Sequence, residues 1–149
     1  MKIEESIIID RPADEVFAFF DDRRNDSRWM GAVVESEWLD PAAPTKVGRR
    51  GRMVMKVFGT REFSDAVTEY GPGRRVGHRS VSGSVAVHSA CAAEPVAEGT
   101  RATLSWEPEH LPGGRLGALA TQPLLTRTIR RNYRADLIRL KSLLEDDGR

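Results

Sequence analysis

The feature that most constrains this sequence is its C-terminal end. From Pro123 to about Asp146 the spacing predicts one long helix with a single apolar stripe. Leu125, Ile129, Tyr133, Leu137, Leu140 and Leu144 follow one another in steps of four, four, four, three and four, so they share one face. Arg127, Arg130, Arg131, Arg134, Asp136, Arg139 and Lys141 fall between them and form the wet side. Apart from a short helical segment, everything before this helix reads as β-strand. A one-sided helix that follows a run of strands has to lay its stripe on their sheet.

The strands are bounded by turn chemistry. Lys2 to Ile9 opens the chain as a strand, and Asp10 with Arg11-Pro12 marks the start of a helix carrying Val16, Phe17, Phe19 and Phe20. That helix stops in the polar run Asp21 to Asp26, and a further helical turn is expected at Ser27–Met30 with Trp29 as its anchor. Strand signals follow at Val33–Leu39, Gly51–Phe58, Arg61–Glu69, Arg74–Val81, Val85–Ala93 and Thr100–Glu107. Asp40-Pro41, Gly48, Gly59, Gly71-Pro72-Gly73, Gly83 and Glu98-Gly99 break them, and links this short favour antiparallel neighbours. A Pro/Gly-rich loop, Pro108 to Gly114, leads to the last helix, where Pro123 marks the first turn or a kink if Leu116–Ala120 is already helical. The expected fold is α+β: a seven-stranded curved antiparallel sheet wrapped around a long C-terminal helix, with one or two short helices after the first strand.

A chain of 149 residues with 40% apolar and 30% charged residues fits one soluble domain, residues 1–149, that can bury a core. The formal charge of +1 makes no overall electrostatic case for nucleic acid or membrane binding. The single Cys91 excludes an internal disulfide and a Cys-based zinc site. The opening MKIEES lacks the character of a signal peptide, and no stretch is apolar enough to span a membrane, so the expectation is a cytoplasmic protein, monomer or homodimer.

The chain resembles the START-like or helix-grip superfamily, in particular its polyketide cyclase/dehydrase and lipid-transport branch. The matching residues are Asp10-Arg11-Pro12-Ala13-Asp14-Glu15-Val16-Phe17 after the first strand, Trp29, the Val47-Gly48 turn and Val67-Thr68-Glu69-Tyr70-Gly71-Pro72. Glu94-Pro95-Val96 and Gly99-Thr100-Arg101-Ala102-Thr103-Leu104 complete the match, which spans nearly the whole chain. The resemblance implies a deep hydrophobic cavity, shared by lipid carriers, aromatase/cyclases and quinone-binding proteins alike. It implies a fold more than an activity.

Turn lengths set an expected register. A four-residue Tyr70–Gly73 loop pairs Glu69 with Arg74, so that Val67 faces Val76, Asp65 faces His78 and Phe63 faces Ser80. A three-residue loop at Phe58–Thr60 puts Met55 opposite Phe63 and Met53 opposite Asp65. An even-length turn at Ser82-Gly83 adds Val85, Val87, Ser89 and Cys91 to the same face, and Ala102, Leu104 and Trp106 point inward on the last strand. Several of these inward side chains are small, which predicts a cavity rather than a filled core. Its walls would be Met53, Met55, Phe63, Val67, Val76, Ser80, Val87, Ser89, Cys91, Leu104 and Trp106 on the sheet, and Ile129, Tyr133 and Leu137 on the helix.

Asp65 and His78, facing each other in that apolar setting, form a candidate acid/base pair, with the carboxylate orienting the ring. A three-residue Ser82–Ser84 loop would instead bring His88 opposite His78, and with Asp65 a facial metal site, but no metal-binding spacing supports it. No phosphate-binding loop or nucleophile elbow is present, and the reading calls for no cofactor and no metal. Cys91 has no flanking basic group and reads as core. Trp29 and Trp38 read as core or cavity rim. Arg127, Arg130, Arg131 and Arg134 form a basic ridge that reads as a solvated face, with an acidic partner, an anionic membrane surface or RNA as the alternatives. The sequence thus points to binding of a small hydrophobic ligand, lipid-, polyketide- or isoprenoid-like, between helix and sheet. Its rivals are a polyketide cyclase/dehydratase acting through Asp65 and His78, and a protein-partner module using the arginine ridge.

Overall fold

The computed structural model describes residues 1–56, 59–111 and 114–147. Val57 and Phe58, at the expected end of one strand, and Pro112-Gly113 in the Pro/Gly-rich loop lie outside the described residues. The element order is β1 (Ile3–Ile9), α1 (Ala13–Asp21), a 3-10 turn (Arg23–Asn25), α2 (Asp26–Trp29), β2 (Val33–Trp38), β3 (Arg50–Lys56) and β4 (Thr60–Gly71). It continues through β5 (Arg75–Ser82), β6 (Val85–Val96) and β7 (Gly99–Pro108) to α3 (Gly114–Asp147). All seven strands form one antiparallel sheet in the order β1-β7-β6-β5-β4-β3-β2. The chain therefore meanders from β2 to β7, and β1 closes the far edge beside β7.

Alternation decides which side of the sheet is inner. Ile3 and Ile9 on β1, Ala102 and Leu104 on β7, Ala93 on β6, Val76 on β5 and Val67 on β4 are all buried. With the exception of Ile3, they meet Ala13, Val16, Phe17 and Phe20 of α1, Trp29 of α2 and Leu137, Leu140 and Leu144 of α3 in one core. Each fully buried leucine of α3 contributes about 1.5–3 kcal/mol, so the C-terminal half of the helix anchors it. α3 packs along β1 and against α2, whereas α1 covers β6 and β7. Ile129 and Tyr133, nearer the start of the stripe, are only half-buried.

Three expectations are corrected. The helix after β1 is capped at Pro12 rather than Asp10; the Pro12 carbonyl accepts from the amides of Glu15 (3.1 Å) and Val16 (3.2 Å). α3 begins at Gly114, nine residues before Pro123, which sits inside it at an exposed position. The third correction concerns register. β4 and β5 join through the three-residue turn Pro72–Arg74, with Gly73 at φ +74, so Gly71 pairs with Arg75 and Tyr70 with Val76. A bulge between Val67 and Glu69 then restores the alternation, and Val67 pairs with His78 and Asp65 with Ser80. Between β3 and β4 the register also differs by two: Met53 faces Phe63, Met55 faces Arg61 and Gly51 faces Asp65. A shift of two preserves the face. The β5–β6 turn has even length as expected, pairing Ser80 with Val87, His78 with Ser89 and Val76 with Cys91.

Candidate ligand site

The inner face of the sheet has an apolar region and a polar end. Among the residues expected to contact ligand, Phe63, Val67, Val76, Leu104 and Leu137 are buried, and all but Phe63 belong to the packed core. Cys91 and Tyr133 pack against that core from its edge. Met53, Met55, Ser80, Val87, Ser89, Trp106 and Ile129 are half-buried, so the concave wall nearest to solvent includes two small serines and two adaptable methionines. The structure thus divides the expected lining into a packed floor and a half-buried rim.

The polar end is built around Arg23, whose inward course is not apparent from the sequence. The 3-10 turn after α1 sends its side chain under the sheet, where Nη1 donates to Asp65 Oδ2 at 2.9 Å and Nη2 pairs with Oδ1. Both side chains are almost completely buried. Room for the guanidinium comes from Gly51, opposite Asp65 on β3: a Cβ there would overlap it. A glycine inside a strand signals such close approach, and it is the one sequence clue to the site. The Arg23 guanidinium also lies 4.0 Å from the ring centre of Trp38, and that of Arg49 lies 3.9 Å from the same ring. Arg49 Nη1 donates to the Thr45 hydroxyl (2.7 Å), which donates in turn to the Asp21 carboxylate (2.9 Å).

His78 stands beside this cluster, its ring 6.0 Å from that of Trp38. Asp65 and His78 share the inner face but are not cross-strand partners, and both oxygens of Asp65 are taken by Arg23. The expected dyad is replaced by an arginine–carboxylate pair with a separate imidazole. His78 Nε2 is enclosed and has no hydrogen-bond partner. Burial, helped by the Arg23 charge and opposed by Asp65, lowers the His78 pKa to about 4, so the ring is neutral at pH 7.

Asp26, the first residue of α2, completes the cluster. It is buried, and its Oδ2 accepts from the Ser36 hydroxyl at 2.7 Å. Burial pushes its carboxyl up to about 7, outweighing the opposing effects of the Ser36 bond and Arg23, with the Asp65 charge adding to the rise. A carboxyl poised there exchanges its proton at neutral pH, the requirement for general acid/base work. Cys91 is pushed up to about 12, chiefly by burial, and is inert as a nucleophile. Burial likewise raises the Tyr133 phenol.

The remaining candidates fall outside this site. His88 pairs with Arg79 on the outer face and meets Glu109 at 2.9 Å, so it cannot join His78 and Asp65 around a metal. No group of potential ligands with metal-binding geometry occurs among the described residues. The arginine ridge is divided, because Arg130 and Arg134 both pair with Glu5 of β1, at 3.0 and 3.2 Å.

A curved antiparallel sheet gripping a C-terminal helix, with a buried polar cluster at one end of its inner face, defines a START-like helix-grip protein. The chain belongs to the family described as polyketide cyclase/dehydrase and lipid transport, whose model matches residues 1–145. Among solved structures it is similar to the Zhui aromatase/cyclase of a Streptomyces species, with TM-score 0.79 and 16% identity over 100% of this chain and 96% of that one. A protein of Thermus thermophilus matches with TM-score 0.78 and 18% identity, covering 100% of both chains. The di-domain aromatase/cyclase BexL matches with TM-score 0.73 and 22% identity over 97% of this chain and 46% of BexL. No curated protein matches in sequence. At these identities the likenesses establish the shared fold.

Proposed function

We propose that residues 1–149 form one helix-grip domain that binds a small hydrophobic molecule, lipid-, polyketide- or isoprenoid-like, between α3 and the sheet. The observation that carries this reading is the juxtaposition on one inner face of a half-buried rim, which includes small and flexible side chains, with an enclosed polar cluster. A solid core would need neither Ser80 nor Ser89 on its inner face, nor an unpartnered His78 nitrogen beneath them. The rim offers apolar contact, and the polar end offers hydrogen bonds that orient a ligand. Family membership and the aromatase/cyclase relatives support the same class of ligand. Displacement of a fluorescent apolar probe tests it: Ser89→Leu and Ser80→Leu, which fill the rim, should weaken binding at least about tenfold while leaving unfolding unchanged. Undiminished probe binding in both variants would refute this location.

A second reading is favoured by Asp26. A buried carboxyl titrating at about 7 beside Arg23 and Ser36 suits a proton-transfer role in a cyclase or dehydratase. In that reading Asp26 replaces the Asp65–His78 pair as the acid/base, and Arg23 with Asp65 positions the substrate. Turnover of a poly-β-ketone analogue lost in Asp26→Asn, with binding retained, would establish it.

A further inference from the structure

The first third of α3 reverses the usual order of a soluble helix. Leu116, Leu119 and Leu124 are 82%, 72% and 70% exposed, while Gly117, Ala118 and Gln122 between them turn toward the protein. Spacings of three and four carry the outward face from Leu116 through Leu119, Pro123 and Arg127 to Arg131, with the exposed Leu124 beside Pro123. Charge is equally one-sided: between His110 and Ala135 the chain has five arginines and no acid, although its net charge is only +1. Arg130 and Arg134 are held by Glu5, but Arg115, Arg127 and Arg131 have no ion-pair partner among the described residues.

We propose that this segment docks the protein on an anionic lipid surface, with the leucines in the acyl boundary and Arg115, Arg127 and Arg131 against the headgroups. A leucine ridge collared by arginines without ion-pair partners, on a stretch of helix that carries no carboxylate of its own, matches the chemistry of an interfacial helix. No helix of the described residues is long and apolar enough to cross a membrane, so the helix lies on the surface. A second copy of the chain fits the same face poorly, because pairing would set one arginine collar against another. The proposal is independent of what the concave face of the sheet holds.

Flotation of the whole protein with phosphatidylcholine vesicles, and with vesicles in which about a third of the lipid is phosphatidylserine, tests this. Binding is expected only to the anionic vesicles, and to weaken with salt. Each arginine near such a surface multiplies the partition by about five, so Arg127→Glu with Arg131→Glu should reduce binding by roughly twentyfold or more. Leu116→Ser, Leu119→Ser and Leu124→Ser together should abolish it, and the circular dichroism of both variants should match the parent because every changed side chain is solvent-facing. Absence of binding to anionic vesicles would overturn the proposal, as would equal binding to both vesicle types. Self-association in sedimentation that disappears in the leucine variant would overturn it too, and assign the face to a second copy.

Discussion

Arg23 and Asp65, separated by 42 residues in sequence, form a two-pronged ion pair on the inner face of the sheet. Their contact joins the turn after α1 to β4 and excludes water from both charges. Such a pair resists the loss of one partner far more than the loss of both. Asp65→Asn or Arg23→Met should each destabilise the fold by about 3–5 kcal/mol, and the double change Arg23→Met, Asp65→Leu should recover most of that. Urea denaturation of the three variants measures it.

Gly51 is a dependent of the same pair. Gly51→Ala forces the Arg23 guanidinium aside and should cost about 1–3 kcal/mol in the parent. In an Arg23→Ala background the same change should be close to neutral. A double-mutant cycle shows the coupling directly.

Asp26 and His78 give opposite pH dependences. The folded Asp26 carboxyl is raised to about 7 from 3.8, so the folded state holds a proton that the unfolded chain has released, and this stability is lost as pH rises from about 4 to 7. The limiting slope is about 1.4 kcal/mol per pH unit. His78 is lowered to about 4 from 6.5, so its contribution is present above 6.5 and is lost as pH falls toward 4. Within that shared window the two slopes oppose. Asp26→Asn should therefore leave stability rising with pH between about 4 and 6.5, and His78→Phe should leave it falling. Denaturation series across that range check both signs.

Along α3 the energetic contrast should be steep over two positions. Leu140 is wholly buried and Ile138 is 63% exposed. Leu140→Ala should cost about 2–5 kcal/mol by chemical denaturation, whereas Ile138→Ala should stay within about 0.5 kcal/mol.

Cys91 provides a reporter of the inner face. With its thiol pushed up to about 12, alkylation by iodoacetamide near pH 8 should be at least about a hundredfold slower in the native protein than in urea. Equal rates would show that Cys91 is open to solvent.

Much of the architecture was legible because it depends on local periodicity. The stripe Leu137-Leu140-Leu144 is buried as its spacing requires, and Val67, Val76, Ala102 and Leu104 face inward as alternation requires. The candidate site was legible only in part. His78 and Asp65 lie on the expected face, but the turn is Pro72–Arg74 rather than Tyr70–Gly73, which moves the pairing by three residues, and the bulge near Thr68 takes one of them back, so the pairing lies two residues from the expected one. Arg23 and Asp26 sit in a charged run that, read alone, is a solvated helix end.

The sequence by itself determined the element order, the inner face of each strand and the amphipathic character of the closing helix, since all three follow from side-chain periods within a few residues. Tertiary structure alone decided that Arg23 turns inward to Asp65 over Gly51, that Asp26 is buried near neutrality, and that the leucines opening α3 stay exposed. Those outcomes depend on which distant groups share a dielectric environment and a partner, and that is set by packing between elements rather than by the residues beside them in the chain.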